Sequence, residues 1–592
     1  MEATLKRIGS HLRQVVTDAD LTDELRTRAA QTAPPSSEPW MFHYPSLTRD
    51  PADPRTLYLA ADWLDGPDAH KLLVFSAGPA EGTACEVRPF AATDREAVRS
   101  FATAIDKSFL PRPQKEQPAV AVGNRHPEVS LPAAFDAFGR ILHDMGVNMA
   151  STVQLSATRE MTIDEGIAAR DGEDPAAIGH TRVSIEHLYH AGLWAAIRSG
   201  WRRGYTAEAD HFIITGATPN EIAASTESTK EAIRRAAGYT KFTTDSSRLF
   251  RLEADARHPN AWSEARVEAE FARTLSADEQ GWVLAEFGNV VSLDGYDYAF
   301  SPSEVRRLAV KFAESLKLNE QLYDFIREQR QGGAFDFEPS IDEAETLTTP
   351  KELLFYMHWL AARGRPASLV PPNLGFKKRQ AYPESQDALA EYAGGKMWPE
   401  LVPRAAQDFN GQPVDELENR VAELASVARH FNGTLSIHSG SGKQARVLSM
   451  IGRATRGRVN YKISGELQLQ LLDVLSQQPA GSPWRSLFER MVDRCCEFAA
   501  RNAFGAESAL AARYQQRGLG YYLGDAAQGR VDGNLFLVFW IGNLVGTRDS
   551  HSPDGDHRFF KEKIDELPSE LLAEVRRRNS DYIVWLAGHL RP

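Results

Sequence analysis

The stretch Ala207-Glu208-Ala209-Asp210-His211-Phe212-Ile213-Ile214, followed by Pro219 to Ala237 and then by Tyr239-Thr240-Lys241-Phe242-Thr243-Thr244-Asp245, decides the reading of the fold. A short run of strand length, an amphipathic segment of helical length opened by a proline, and a second short run spell strand, helix, strand. Two strands joined through a helix lie parallel in one sheet.

The same alternation extends in both directions. Candidate strands are Ala119 to Val122, Met149 to Leu155, Ala207 to Ile214, Tyr239 to Thr244, Phe335 to Ile341, Ser368 to Pro371, Thr434 to His438 and Val459 to Ile463. Candidate helices are Pro132 to Met145, Val183 to Arg203, Pro219 to Ala237, Pro350 to Ala362, Val414 to Phe431 and Glu466 to Ser476. Eight parallel strands alternating with helices predict a (β/α)8 barrel of the TIM type, an α/β fold, with a doubly wound sheet as the alternative. Three parts are expected: a small N-terminal α/β cap over residues 1–115, a barrel over 116–480, and a helical C-terminal extension over 481–592. A mainly helical insertion, about 246–332, interrupts the barrel after its fourth strand, with helices over Trp262 to Leu275 and Pro302 to Arg330.

A chain of 592 residues with 42% hydrophobic and 25% charged residues has enough apolar surface for a large core. Its net charge of −12 disfavours nonspecific binding to nucleic acid or anionic membrane. A local basic cluster can still hold an anionic substrate. Cys85, Cys495 and Cys496 are too few for a disulfide framework, and Met1 to Gly9 has no apolar signal region. The longest apolar run, Leu535 to Ile541, is far short of a membrane span. A cytoplasmic protein, with no membrane or nucleic-acid partner, is expected.

Barrel chemistry stands at the C-terminal ends of strands. There the chain carries Gln154, Asp210 with His211, Asp245, Asp342 with Glu343, His438 and Lys462. Imidazoles and carboxylates converging on one rim suit a divalent transition metal such as zinc, manganese or nickel. Singly, each has an ordinary alternative: a buried histidine satisfied by the core, or an Asp capping the next helix. Their joint placement favours a site. His187 and His190, three apart on a helix, read as core or surface residues.

The turn His438-Ser439-Gly440-Ser441-Gly442-Lys443 invites a phosphate-loop reading, which fails because Ile437 stands at the first Gly and Gln444 at the Ser/Thr. The same turn meets the dinucleotide fingerprint only loosely, and the next strand ends near Lys462 without the acidic residue a ribose would need. A small-residue turn able to bind a carboxylate, a phosphate or sugar hydroxyls survives, beside the alternative that its glycines serve backbone geometry alone.

Four ordered stretches, Ala207 to His211, Gly238 to Asp245, Phe337 to Glu343 with Thr348-Thr349-Pro350 behind it, and Leu435 to Ser441, resemble the tagaturonate/fructuronate epimerase family. The similarity runs from about residue 118 to 480. It implies a metal-dependent barrel isomerase that interconverts 2-keto-hexuronates differing at carbon 4. Within that resemblance, His211, Glu343 and His438 are expected to hold the divalent cation. Asp210 and Asp245 are expected as acid/base groups or further ligands. Gln154, Arg159, Ser439, Ser441, Lys443 and Lys462 are expected to contact a small sugar or sugar-acid substrate. The chain departs from the family pattern where Gly442 replaces an Asp and Leu353 a His, and Trp540-Ile541-Gly542 only faintly follows a late Tyr-Gly motif. Those departures leave open an isomerase or aldolase acting on another polyhydroxy ketone, or a barrel that binds without catalysis.

Overall fold

The computed structural model describes residues 15–16, 42–49, 56–63, 70–77, 85–91, 95–100, 102–103, 107–123, 126–155, 157, 183–342, 346–376, 381–385, 387–388, 413–438, 440, 442–500 and 555–592. Eight strands form one sheet: β1 (Ala119–Gly123), β2 (Ala150–Gln154), β3 (Thr206–Ile213), β4 (Lys241–Asp245), β5 (Asp336–Ser340), β6 (Leu369–Val370), β7 (Thr434–Ile437) and β8 (Val459–Ile463). Every pairing is parallel and the order is β5-β4-β3-β2-β1-β8-β7-β6. The two ends of that order meet, because Ser368 N–H donates to Phe337 O (2.9 Å) and Ile341 N–H to Pro371 O (3.4 Å). The sheet is therefore a barrel, and the doubly wound alternative falls.

The outward faces of the strands are apolar because helices cover them. Phe212, Phe242 and Phe337 are fully buried there, with Phe212 stacked on Phe242 and Phe337 meeting Tyr323 edge-on. The intervening helices begin where side chains can satisfy their free N–H groups. Thr218 with Glu221, Ser301 with Glu304 and Thr349 with Glu352 form capping boxes, each with Pro in the first turn. The first barrel helix starts at Pro127 and not at Pro132, which lies inside it. Both prolines fit a helix start by φ alone, and the earlier one takes the first turn.

The insertion is mainly helical, with Glu264–Thr274, Ala277–Glu286 and Pro302–Gln329. It also contains a hairpin, Val291–Leu293 with Tyr296–Tyr298, turning through Asp294 (φ 49°) and Gly295 (φ 89°). The long helix Pro302–Gln329 is keyed to the barrel by a fully buried polar cluster. Thr244 Oγ1 donates to Asn319 Oδ1 (2.6 Å), and Asn319 Nδ2 donates to Ser246 Oγ (3.0 Å) and to the Tyr356 hydroxyl (2.8 Å). Burial pushes the Tyr356 phenol up to about 12, so it is a permanent hydroxyl here. A second cluster joins Lys311 to Asp255 (2.8 Å) and Glu352 (2.5 Å), with Arg257 on the same two carboxylates (2.6 and 2.8 Å).

Residues 15–91 contribute a five-stranded antiparallel sheet, ordered Val15–Val16, Cys85–Ala91, His70–Ala77, Thr56–Trp63, Phe42–Arg49. At the entry to the barrel, Asp336 at the start of β5 accepts the backbone N–H groups of Gln114 (2.7 Å) and Lys115 (2.9 Å). Beyond β8 the described chain is helical, with Gly465–Ser476, Pro483–Ala500, Gly555–Asp565 and Ser569–His589. The last of these packs on the first barrel helix, where Arg140 reaches Asp581 (2.8 Å). Among the described residues no helix is long and apolar enough to cross a membrane.

Candidate active site

Inside the barrel the polarity is reversed relative to a hydrocarbon core. Alternate residues of a strand share a face, and the inward set here is Glu208 and Asp210 on β3, Lys241, Thr243 and Asp245 on β4, Glu338 on β5 and Lys462 on β8. Each of these is buried. Charges in such a place are tolerated only when paired and hydrogen-bonded.

They are paired tightly. Lys241 Nζ lies 2.9 Å from Glu208 Oε2 and 2.6 Å from Glu338 Oε2. Lys462 Nζ lies 2.8 Å from Asp210 Oδ1, 2.8 Å from Glu338 Oε1, and also pairs with Glu208 Oε1. Thr243 donates its hydroxyl to Glu208 Oε1 (2.8 Å). The parallel register explains the convergence, since Lys241 stands opposite Glu208 on one side and Thr243 opposite Glu338 on the other.

A β-bulge shapes the rim. The β3–β4 register shifts between Ala209 and Phe212, so one extra residue is accommodated, and His211 takes a left-handed backbone (φ 53°). That kink lets consecutive side chains, Asp210 and His211, both face the site. His211 Nε2 is 3.8 Å from Asp210 Oδ1 and its Nδ1 is 3.6 Å from Asp245 Oδ2. Asp245 is oriented in turn by Ser247, whose N–H (3.1 Å) and hydroxyl (2.7 Å) donate to its Oδ1.

His438, just past β7, donates from Nε2 to Glu338 Oε1 (2.6 Å), while its Nδ1 lies 3.3 Å from Asp342 Oδ2. Its ring meets that of His211 edge-on, with centroids 5.2 Å apart. Burial and the Lys462 ammonium push the His438 imidazole down, but Asp342 and Glu338 prevail and raise it to about 9. Burial raises the Asp210 carboxyl, yet His211 and Lys462 bring it to about 2. Glu338 and Asp342 are held well below the usual carboxylate range against burial, Glu338 by the two lysines and Asp342 by His438. Three carboxylates outweigh burial at Lys462 and keep it an ammonium ion well above its ordinary range.

Asp210, Glu338 and His438 each offer one ligand atom, and these atoms lie within 4.8 Å of one another. Two carboxylate oxygens and an imidazole nitrogen are a donor set that suits a divalent transition metal. Of the ligands expected from sequence, His438 is in this group. His211 stands beside it, against Asp210 and Asp245, and Glu343 lies outside the described residues. Asp210 and Asp245, expected as acid/base groups or further ligands, flank His211, and Asp210 is in the three-residue group.

The expected substrate contacts divide. Lys462 is in the centre of the site. Gln154 spends its amide N–H groups on Leu155 O (2.9 Å) and Val183 O (3.0 Å), which ties the end of β2 to the segment entering the next helix. Lys443 is buried with its ammonium 5.1 Å from the centre of the Phe376 ring. Its neighbour Gln444 exchanges two hydrogen bonds with the backbone of Tyr382 (3.0 and 2.8 Å), joining the β6 and β7 loops. Arg159, Ser439 and Ser441 lie outside the described residues. In the small-residue turn, Tyr461 donates its hydroxyl to Gly440 O and Gly442 is left-handed (φ 77°). Leu353 is fully buried in the core.

Glu208, Lys241, Thr243 and Glu338 are site residues that strand ends alone do not reveal. Their signal was present: charged or hydroxyl residues within the strands, two apart from one another or from a polar strand end.

A family model described as tagaturonate epimerase matches residues 177–379 of the chain. That span carries β3, β4 and β5 with their site residues; His438 and Lys462 lie beyond it. A tagaturonate/fructuronate epimerase of Thermotoga maritima is 24% identical over 284 residues, 48% of this chain and 49% of that protein. The chain thus spans about half the length of the curated relative it matches. Among solved structures, fructuronate-tagaturonate epimerase UxaE from Cohnella laeviribosi with two glycerols superposes with a TM-score of 0.62 at 17% identity, covering 92% of this chain and 96% of that one. Its native form gives 0.60 over 96% and 99%. The fold is shared, and the resemblance seen in the strand-end motifs holds.

Proposed function

We propose that the chain is an isomerase of the epimerase type, acting in the cytoplasm on a keto-hexuronate such as tagaturonate or fructuronate, or on a related ketose, with a divalent cation held by Asp210, Glu338 and His438. The observation that carries this reading is the convergence of those three ligand atoms with Lys462, His211 and Asp245 at the C-terminal rim of a closed barrel. The barrel, about residues 116–480, is the catalytic part, and the N-terminal region and C-terminal helices are its appendages.

Carbon 4 of a 2-ketose is not alpha to the carbonyl, so direct removal of its hydrogen is not assisted. Either the bond between carbons 3 and 4 is cleaved and remade, or the carbonyl migrates along the chain. Both routes need groups that take and return protons. When bound, a divalent cation supplies Lewis-acid stabilisation of developing oxyanion charge. Asp245, beside His211 and outside the ligand group, is placed to accept a proton, and the His211 imidazole, raised against burial by its two carboxylate neighbours, is placed to return one. Lys462, held as an ammonium by three carboxylates, serves as a fixed positive charge and not as a Schiff-base nucleophile. Gln154, Arg159, Lys443 and the Ser439 to Lys443 turn are read as the surroundings that hold the carboxylate or hydroxyl end of the substrate.

Incubation of purified protein with tagaturonate, fructuronate and neutral ketohexoses, in the presence of manganese, zinc or nickel and without nicotinamide, tests the reading. Formation of the carbon-4 epimer of at least one ketose is expected. Conversion of none while the cation is demonstrably bound overturns it.

A further inference from the structure

Two of the carboxylates in the candidate cation site already face a cation that belongs to the chain. Lys462 Nζ stands 2.8 Å from Asp210 Oδ1 and 2.8 Å from Glu338 Oε1. The third carboxylate on the ammonium is Glu208 Oε1, outside the ligand group, and Thr243 Oγ1 lies 3.4 Å away. Lys241 occupies the opposite oxygens, Glu208 Oε2 and Glu338 Oε2, at 2.9 and 2.6 Å. Glu338 is therefore held from both ends, and Asp210 is tethered from β8 across the barrel.

Fixed placement of ligand carboxylates favours metal binding, because less ordering is left to be done on association. A positive charge on the same carboxylates opposes it, because like charges a few ångströms apart in a buried site repel strongly. The two effects act in opposite directions, and the second is the larger. Removing Lys462 leaves Glu338 still fixed by Lys241 and hydrogen-bonded to His438. Most of the positioning survives, while all of the repulsion from that ammonium is lost.

We infer that Lys462 is a built-in counter-ion that holds Asp210 and Glu338 in place and keeps the divalent-cation affinity of the site below what its donor set alone would give. The inference rests on the cation reading proposed above. A weakened site of this kind lets the cation exchange or shift as substrate oxygens arrive. The role concerns this chain's own lysine and is separate from any contact Lys462 makes with substrate.

Calorimetric titration of manganese into metal-stripped full-length protein tests it, with thermal melting of the same samples with and without manganese. Lys462→Met is expected to bind manganese at least about tenfold more tightly than wild type and to melt lower without the ion. Addition of manganese is expected to raise its melting temperature by more than it raises that of wild type. Should the single variant fail to fold, Glu208→Gln/Lys462→Met, which removes one charge of each sign, is expected to bind manganese more tightly than Glu208→Gln alone. Lys462→Arg, which keeps the charge, is expected not to tighten. Equal or weaker binding by the folded methionine variants, or equal tightening by the arginine variant, overturns the inference and leaves the cation reading standing. Absence of manganese binding by wild type and variants alike overturns both.

Discussion

Tyr461 donates its hydroxyl to the carbonyl of Gly440, and its ring lies so close that a Cβ on that glycine would overlap the ring carbons. The turn after β7 is thus moulded onto a residue of β8, and both strands carry site residues, His438 and Lys462. Gly440→Ala is expected to cost about 1–3 kcal/mol by overpacking. Urea unfolding reads the loss directly. Tyr461→Phe in the alanine background should recover little, because the clash is with the ring and not with the hydroxyl alone. Recovery to wild-type stability would show that the hydroxyl, and not the ring, had set the close approach.

Lys241 joins Glu208 and Glu338 at the base of the site, with all three fully desolvated. Breaking a buried ion pair by removing one partner costs about 3–5 kcal/mol, since the remaining charge is stranded. Lys241→Met is therefore expected to destabilise on that scale. Glu208→Gln in the same chain should return part of the loss, with a coupling of about 1–3 kcal/mol in a double-mutant cycle. Strict additivity of the two variants would place the two side chains outside one another's influence.

Elemental analysis separates the two rim histidines. His438→Ala is expected to lose the divalent cation, because His438 contributes a ligand atom to the three-residue group. His211→Ala is expected to keep most of it while losing turnover by about 100-fold or more, the scale of a lost acid/base group. The reverse pattern, with cation lost only from the His211 variant, would move the centre toward Asp210 and Asp245.

Asp255 gives a pH prediction in the insertion. Burial alone would push its carboxyl up, but Arg257 and Lys311 outweigh it and hold the group below the ordinary carboxylate range. A depressed carboxyl contributes stability that is complete above its unfolded value of about 4 and drains away as pH falls toward the folded value. The stability difference between wild type and Asp255→Asn is thus expected to be constant from about pH 6 to 8 and to shrink below about pH 4. Thermal melts across that range report it. A difference that grew on acidification would contradict the pairing.

The barrel was legible because its strands are short segments of strand length, each carrying apolar residues, that alternate with helical segments, and all eight stand where the pattern puts them within a few residues. The helix Ala445–Ala454 is absent from the sequence reading; it is short, and Gln444 gives it no side-chain cap. The hairpin at Asp294-Gly295 had a readable turn signal, overshadowed by the long helices around it. At the site, strand ends pointed to Asp210, Asp245, His438 and Lys462. Glu208 and Glu338 were hidden by position: a charge in the middle of an apolar strand has meaning only once the opposing Lys241 and Lys462 are known to face it. That knowledge depends on barrel closure and register, which no single stretch of sequence carries.

The ion pair between Lys462 and Asp210 spans 252 positions of the chain, and the bond between His438 and Glu338 spans 100. Contacts of such separation form only after long stretches of intervening chain have been ordered, so they come late and slowly. The helices, by contrast, are local. In refolding, the far-ultraviolet signal of helix would recover well before the ability to retain manganese, and a nascent chain emerging from the ribosome would own all three ligands, Asp210, Glu338 and His438, before β8 with its Lys462 had been made. Ring closure is in this sense a timer: the strand that closes the barrel also delivers the lysine that balances the charge of the carboxylates, so the closed centre and its counter-ion arrive together.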